Sequence, residues 1–304
     1  VTFKKGAITN AGTMTVTGKT GVTVGKQVSI ANTGDLTFKD DEKVDFKADY
    51  TASAGRLFIE SAANTISGNI TADSLKFGTA IADTAKTKED NQVVITATAS
   101  GKNTIVYGST IDVKALTVED AATIVNGTLK AAATTIGAGK TGGLTVADEN
   151  ASNNKLAVVT LGDITVGSTD ATKAGSFTLT NTAKKAVEAS SLNVVKKVST
   201  FTLANGDFSV GKLTNQGAVK LGDSTNNTVG KLIITGESTN ESGATIAFNA
   251  AGDSLVVAEG ASLQNLGTIG SDNSKGIITV AGTLTNAPAA SGVKACLLYT
   301  SPSP

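Results

Sequence analysis

The chain has 304 residues, of which 40% are hydrophobic, so it can bury a core and is not disordered along its whole length. Lysine and arginine number 26 together and balance 26 acidic residues, and Arg56 is the only arginine, which argues against a basic surface that binds nucleic acid. No apolar run approaches the roughly 20 residues of a membrane-spanning helix, so we expect no membrane insertion by this segment. Aromatic residues make up only 4%, which favours thin, repetitive β-layers over a thick globular core.

An internal repeat is the strongest pattern in the sequence, and it has the form apolar-x-Asn-x-Gly-x-apolar-x-apolar. The first two copies lie 22 residues apart, which is close to the length of one solenoid coil. The full copies occupy residues 8–16, 30–38, 213–221 and 263–269, and versions with a shortened turn occupy 125–129 and 203–208. The spacing wanders while the pattern persists, so we expect one kind of fold along the chain.

The alternation of apolar and polar residues on either side of the Asn and Gly predicts a strand, a bend and a second strand. Both residue types tolerate positive φ, so we expect them to form the bend itself. A hairpin meander would use the same residues, but the long repeat and the lack of a helical crossover favour a solenoid. The sequence therefore predicts an all-β fold, an elongated parallel β-solenoid (β-helix) of about 13 irregular coils, with β-sandwich repeats as the alternative.

Further alternating runs cover the chain without a break in composition, so we predict one continuous domain over residues 1–295. In chain order these runs are 22–24, 56–59, 74–77, 93–96, 144–146, 176–179, 231–234 and 277–280.

Some segments between these runs are less regular. Residues 182–198 are ambiguous, because a spacing of three that begins at Ala189 and Leu192 would also suit one face of a short helix. We interpret them as a strand with a lysine-rich loop. The charge runs at 40–43 and 86–91 are expected to be solvated loops that project from the coils.

Both ends of the chain are expected to be cuts. The sequence begins at Val1, without Met or a signal peptide. Residues 296–304 begin with Cys296, the only cysteine, and resemble a translated sequencing adapter, with a natural Ser/Pro tail as the alternative. Without this non-native tail the chain has no cysteine, which is compatible with an exported bacterial protein and equally with a cytosolic one.

No residue is assigned to a catalytic, cofactor-binding or metal site. Histidine is absent, which removes the commonest general base and the commonest zinc ligand. Acidic residues are scattered beside turns, and a single arginine leaves little to bind a uronate, so we expect neither enzyme activity nor a cofactor. The acceptor-rich segments 222–227 and 270–273 are interpreted as turns, since the nonapeptide of calcium-binding β-rolls does not occur.

Five Asn-x-Ser/Thr sequences are weak signals for glycosylation, because such sequences arise by accident in a chain rich in Asn and Thr. They begin at Asn69, Asn126, Asn150, Asn226 and Asn240.

In its strands punctuated by Asn and Gly, its Thr-rich exposed faces and its lack of His and Trp, the chain resembles the repetitive passenger regions of bacterial autotransporters and haemagglutinin-type surface adhesins. The resemblance implies a structural or adhesive stalk in a large secreted or cell-surface bacterial protein. It also implies an extracellular location and partners among the glycans or proteins of host or neighbouring cells. Self-association end to end is a further expectation.

Two rival classes remain open. A surface-layer or phage-fibre structural protein would share this composition but assemble laterally or as a trimer. A polysaccharide-active β-helix enzyme would need carboxylates clustered on one face.

Overall fold

The structure is a computed structural model that describes the chain in segments. The described residues are 1–40, 42–60, 63–66, 70–77, 92–95, 98–101, 104–107, 110–113, 115–118, 121–125, 128–148, 156–169, 172–196, 198–270, 276–287 and 296–297. Side chains are described within these ranges except at 52–56, 63–113, 121–125 and 296–297. The described residues form strands and turns without any helix, which confirms the all-β prediction.

The strands are short, and most have four or five residues. The first sixteen are β1 (Thr2–Asn10), β2 (Thr13–Thr17), β3 (Val22–Asn32), β4 (Asp35–Lys39), β5 (Lys43–Phe46), β6 (Tyr50–Glu60), β7 (Ala63–Ile66), β8 (Ile70–Phe77), β9 (Gln92–Ile95), β10 (Thr98–Gly101), β11 (Thr104–Tyr107), β12 (Thr110–Val113), β13 (Ala115–Val118), β14 (Ala121–Val125), β15 (Thr128–Ala131) and β16 (Ala133–Ile136). The others are β17 (Thr141–Ala147), β18 (Val158–Thr160), β19 (Asp163–Val166), β20 (Ser176–Asn181), β21 (Val187–Val194), β22 (Thr200–Asn215), β23 (Ala218–Leu221), β24 (Gly230–Ile234), β25 (Glu237–Asn240), β26 (Thr245–Phe248), β27 (Ser254–Val257), β28 (Ser262–Asn265), β29 (Thr268–Ile269), β30 (Ile277–Val280), β31 (Thr283–Asn286) and β32 (Cys296–Leu297).

The chain divides into two compact units. One contains Val1–Ala133 and Thr145–Val159, and the other contains Thr134–Leu144 and Thr160–Pro304. Within each unit most described strands pair in parallel with strands two or three places further along the chain, and the long β22 also pairs with β21 and β23. Because parallel partners need a crossover, this interval means that the chain coils rather than folding into hairpins. The prediction of a parallel β-solenoid is confirmed, and the β-sandwich alternative is wrong.

In the first unit, long strands turn a corner and belong to two sheets. One sheet has the order β1, β3, β5, β7 and β9, and β2 pairs with β4 in another. The backbone of β6 pairs with β8 twice, first where Tyr50 lies opposite Ile70 and, after a register shift, where Leu57 lies opposite Leu75. Further along, β10, β11 and β12 pair with β13, β14 and β15, at an interval of three strands per coil.

The second unit shows the same three-strand coil more regularly. The 16-residue strand β22 forms part of all three faces, and β23, β24 and β25 stack on its successive parts. The following coil repeats the order, because β26, β27 and β28 pair with β23, β24 and β25. Strands β29, β30 and β31 continue it.

The described chain forms about nine turns, fewer than the predicted number of about 13. That prediction assumed a constant coil, whereas the interval between stacked residues varies along the chain. It is 22 residues from Asn10 to Asn32 and 25 from Asn215 to Asn240. Turns inserted between strands lengthen individual coils, and these longer coils account for part of the difference.

The core of each unit is a set of rows in which equivalent side chains of successive coils stack. Leu213, Val219 and Leu221 are all 0% exposed, so the predicted inward orientation of these residues is confirmed. Aromatic rings stack in the same rows, with 5.8 Å between the ring centroids of Phe177 and Phe201. Since strict alternation sends every second side chain inward, a narrow interior is filled without large residues.

The predictions for the irregular segments have different outcomes. Strand β21 occupies Val187–Val194, and Lys184 and Lys185 lie in the turn before it, which confirms the strand-and-loop interpretation of 182–198. The solvated-loop interpretation of 40–43 is wrong for Asp40, which is 2% exposed and accepts backbone hydrogen bonds. The run 86–91 lies outside the described residues.

Replacing Leu221 with Asp tests the inward rows. The carboxylate would be buried in an apolar row without a partner, so we expect the free energy of unfolding to fall by several kcal/mol, on the order of 3–5. The matched control is Lys220→Asp, since Lys220 precedes it in β23 and is exposed, and its cost should stay within about 0.5 kcal/mol. Urea denaturation measures both, and equal losses would contradict the alternation.

Candidate functional site: the asparagine ladders, the buried aspartates and the outer rows

In the four full copies of the repeat, the asparagine is buried at the corner where one face passes into the next. In the first unit the Asn10 Nδ2 donates to Asn32 Oδ1 at 2.8 Å, and Asn32 Nδ2 donates to the Tyr50 hydroxyl at 2.8 Å. Each asparagine oxygen also accepts the backbone N–H two residues later, from Gly12 and Gly34. We call this series, Asn10, Asn32 and Tyr50, the first ladder.

The second unit contains a longer series, which we call the second ladder. Its members are Asn215, Asn240, Asn265 and Asn286, and consecutive Nδ2 to Oδ1 distances are 2.8, 2.7 and 2.6 Å. The first three asparagines are 0% exposed. A buried amide that was not hydrogen-bonded would destabilise the fold, so each asparagine depends on the coil after it.

Both ladders have the same polarity. In every described step the Nδ2 of the earlier asparagine donates and the oxygen of the later residue accepts. Amide groups in such a row polarise one another, so the series is stronger than isolated pairs. The ladders therefore give the coils of each unit a chemical direction.

The glycine of the repeat has a different role from the one predicted. None of the ladder asparagines has positive φ, and neither does Gly217 or Gly267. A Cβ on Gly217 would lie 2.3 Å from the Ser199 oxygen, and one on Gly267 would lie 2.3 Å from the Ala244 oxygen. At these two positions the glycine is required because the backbone of the preceding coil passes too close for a side chain, whereas a Cβ on Gly12 would meet no atom within 4 Å.

Two aspartates make a second kind of buried corner. Asp253 is 0% exposed, and its oxygens accept N–H groups of Gly230 in the preceding coil at 2.9 Å and of Ala250 at 2.7 Å. Asp40 accepts the N–H groups of Gly21 at 3.0 Å and Lys43 at 2.9 Å. Both carboxylates thus join one coil to the next through backbone donors.

The hydrogen bonds to Asp40 change its ionisation. Burial by itself would raise the pKa of this carboxyl. The N–H groups of Lys43, Glu42 and Gly21 and the charged amino group of Val1 lower the pKa, and together they outweigh burial, so the pKa lies below its ordinary value. A carboxylate with a depressed pKa stabilises the fold only while it is ionised.

The acceptor-rich segment 222–227 forms a turn, as predicted. Asp223 accepts the Thr225 N–H and the Asn226 side-chain amide, and these bonds lower the pKa of Asp223. Of segment 270–273 only Gly270 is described.

The asparagines of the Asn-x-Ser/Thr sequences differ in exposure. Asn240 is 0% exposed and its amide is occupied within the second ladder, so a glycan cannot be attached there in the folded chain. Asn226 lies in an exposed turn. The signals at Asn69, Asn126 and Asn150 lie outside the described residues.

The outward side chains of the second unit also form rows. The row beside the second ladder is polar and consists of Thr165, Asn193, Thr214, Thr239, Gln264 and Thr285. In the described part of the chain, the Asn193 Oδ1 is the one buried side-chain polar atom without a hydrogen-bond partner. On another face, Ile233 and Val256 are neighbours in an outward row and are half-buried.

Within the described ranges, no three side chains of His, Cys, Asp or Glu lie close enough together to hold a metal ion. No described helix is long and apolar enough to cross a membrane. No family model, curated protein or solved structure matches the chain.

Sequence reasoning placed the asparagines in the repeat but missed the ladders. The available signal was the recurrence of one residue type, Asn, at one position of the repeat, where Asp, Ser or Gly would serve equally well if only a bend were needed. The use of Asn alone at this position indicates a side chain that must donate one hydrogen bond and accept another.

Replacing Asn240 with Ala tests the second ladder. The variant leaves the Asn215 amide and the Asn265 oxygen without their partners, so we expect a loss of about 2–4 kcal/mol in the free energy of unfolding. Thr239→Ala is the matched control, because Thr239 precedes Asn240 in β25 and points outward, and its cost should be below about 1 kcal/mol. Chemical denaturation would contradict the ladder if the two variants were equally stable.

The depressed pKa of Asp40 predicts a pH dependence. Its contribution to stability should be complete above the unfolded pKa of about 3.9 and be lost as the pH falls through the lower folded pKa. Asp40→Asn should remove this component of the acid transition. Glu42→Gln is the control, since Glu42 is exposed in the same turn. Unfolding curves measured from pH 7 to pH 2 would contradict the assignment if wild type and Asp40→Asn lost stability in parallel.

Proposed function

We propose that the chain is a load-bearing stalk segment of a large secreted or cell-surface bacterial protein, structural or adhesive in role and without catalytic activity. The observation that supports this proposal is the second ladder, in which four coils are joined by an unbroken series of amides, the first three of them fully buried. Such a series adds nothing to a binding pocket. It serves to hold successive coils in one register.

The arrangement of bonds suits a spacer. From β22 to β31, each coil is attached to its neighbours by parallel pairing on three faces, by stacked apolar side chains and by the second ladder. A coil cannot leave its neighbour without losing all of these contacts, so the contacts of one coil fail together. Under tension a stalk of this kind should therefore yield coil by coil.

The adhesive role is supported by the resemblance to autotransporter and haemagglutinin-type passengers and by the outward polar row from Thr165 to Thr285. These hydroxyl and amide groups offer hydrogen-bond donors and acceptors of the kind that glycans use. We place the partners, glycans or proteins of host or neighbouring cells, on this exposed side of the chain, and the location outside the cell.

A second candidate, a surface-layer or fibre protein, is favoured by one observation. Ile233 and Val256 project outward from adjacent coils, and Ile277 in the next coil is 55% exposed. An outward apolar surface on stacked strands suits lateral packing against a second chain. In that case the chain would form part of a sheet or fibre instead of a single stalk.

Removing one whole coil tests the stalk. Residues 216–240 comprise one 25-residue interval of the second ladder, so their deletion should leave β26, β27 and β28 to stack directly on β22. Pulled from its two ends in a single-molecule force experiment, the full chain should lengthen in steps, about 85 Å for a coil of this length. The deletion variant should fold and lose one step.

Deletion of residues 216–227 is the matched control, because it removes part of a coil and displaces the following strands to the wrong faces. In the force experiment this variant should extend without the discrete steps of the full chain. Release of the full chain in one step, or extension without resistance, would overturn the stalk. Lateral association of the folded chain, abolished by Val256→Lys, would favour the surface-layer candidate.

A further inference from the structure

We propose that the outward polar row of the second unit, from Thr165 to Gln264, binds an uncharged, unbranched β-1,4-linked polysaccharide whose chain lies along the stack with one sugar on each coil. This ligand class rests on the adhesive role proposed above and makes its glycan partner specific. The residues of the row come from five successive coils and are Thr165, Asn193, Thr214, Thr239 and Gln264.

The side chains of the row are available to a ligand. All five are half-buried or exposed, and none has a hydrogen-bond partner among the described residues. Elsewhere in the unit such groups are occupied, since the Thr228 hydroxyl donates to the Ala204 carbonyl and the Ser191 hydroxyl to Asp163. At Asn193 the oxygen is buried, and the Nδ2 remains accessible as a donor. The row therefore offers a free polar group on every coil.

The second ladder holds these groups at a fixed spacing. Thr214 and Thr239 each precede a ladder asparagine, and so does Gln264. The register places Thr214 opposite Thr239 and Thr239 opposite Gln264, with adjacent coils about 4.8 Å apart. Because this surface is ordered before a ligand arrives, binding orders little more of the chain.

Charge decides between classes of polymer. The row contains no charged residue, and Lys212 and Glu237, two residues before Thr214 and Thr239, have opposite signs in successive coils. Anionic polysaccharides and nucleic acids bind through clustered positive charge, which this face does not provide. The ligand that complements the face is neutral.

A peptide strand is a poorer fit to the same face. Strand β25 pairs with β22 on one side and with β28 on the other, so its backbone groups are already used. An added peptide strand binds through an open backbone edge, and the middle of this face has none. Recognition must therefore come from side chains. Hydroxyl and amide groups match the hydroxyls of a sugar, which both donate and accept.

The spacing of the row selects the linkage. Each sugar of an extended β-1,4-linked chain advances by nearly the distance between two coils, so consecutive sugars meet consecutive coils. Successive sugars are turned over, and one edge of the chain presents alternating hydroxyls. A threonine hydroxyl accommodates either, because it can donate or accept. An α-1,4-linked chain curves and would leave the row after a short contact.

The test titrates the full chain with glucose oligomers of two to six sugars and measures affinity by calorimetry. Each added β-1,4-linked sugar should raise the affinity about two- to tenfold, the effect of one net hydrogen bond. The increase should level off at five sugars, when every coil of the row is covered. Maltohexaose, the α-1,4-linked hexamer of the same composition, should bind at least about tenfold more weakly than cellohexaose.

A double variant, Thr214→Val with Thr239→Val, locates the site. It removes two hydroxyls from the row but keeps the shape and strand preference of both side chains, so cellohexaose should bind about tenfold more weakly. Thr202→Val is the matched control, since Thr202 also points outward from β22 but on another face, and its affinity should equal that of the wild type. Urea denaturation confirms that all variants are folded.

Three outcomes would overturn the proposal. Cellohexaose could fail to bind, maltohexaose could bind equally well, or Thr202→Val could weaken binding as much as the double variant does. Binding of a protein or an anionic glycan instead would leave the adhesive role standing without this ligand. The stalk is tested separately by the steps in the force experiment, which do not depend on any sugar.

Discussion

The fold depends on one requirement, that a polar group buried at the corner of each coil be satisfied by the coils before and after it. An asparagine amide meets this requirement because it carries a donor and an acceptor on one planar group. Adjacent parallel strands lie about 4.8 Å apart, a distance that one amide spans with a hydrogen bond on each side. Carboxylates in the same row would place negative charges opposite one another in successive coils. A serine side chain is too short to bond to both the preceding and the following coil.

Once backbone pairing and the matching amides hold the coils at this distance, much of the remaining sequence follows. The backbone after Asn215 and after Asn265 passes within contact distance of the preceding coil, which excludes any side chain at Gly217 and Gly267. The interior that remains is narrow, so rows of Leu, Val and Ile fill it and a few phenylalanines suffice. The low aromatic content is thus a result of the geometry of the coil.

The strand pattern was predictable because alternation needs no tertiary information. The inward positions of Leu213 and Leu221 follow directly from it. The number of coils was not predictable, because coil length depends on corner turns that have no periodicity. The ladders and the burial of Asp40 and Asp253 were also missed, since which donors surround a polar residue is decided by the neighbouring coil. Local composition identifies a turn but does not say whether the turn faces solvent or a second backbone.

The turn between Asp223 and Thr228 shows how the coils tolerate variation. The interval between stacked residues is 27 from Val219 to Ile246 but 23 from Ile246 to Ile269, and yet both steps keep their register. The additional residues lie in this turn, where a backbone bridge between Asp223 and Thr228 closes the loop at its base. Selection can therefore lengthen or replace the loop without disturbing the stack. A chain built this way can vary the length and composition of its surface loops while its stacked interior stays the same.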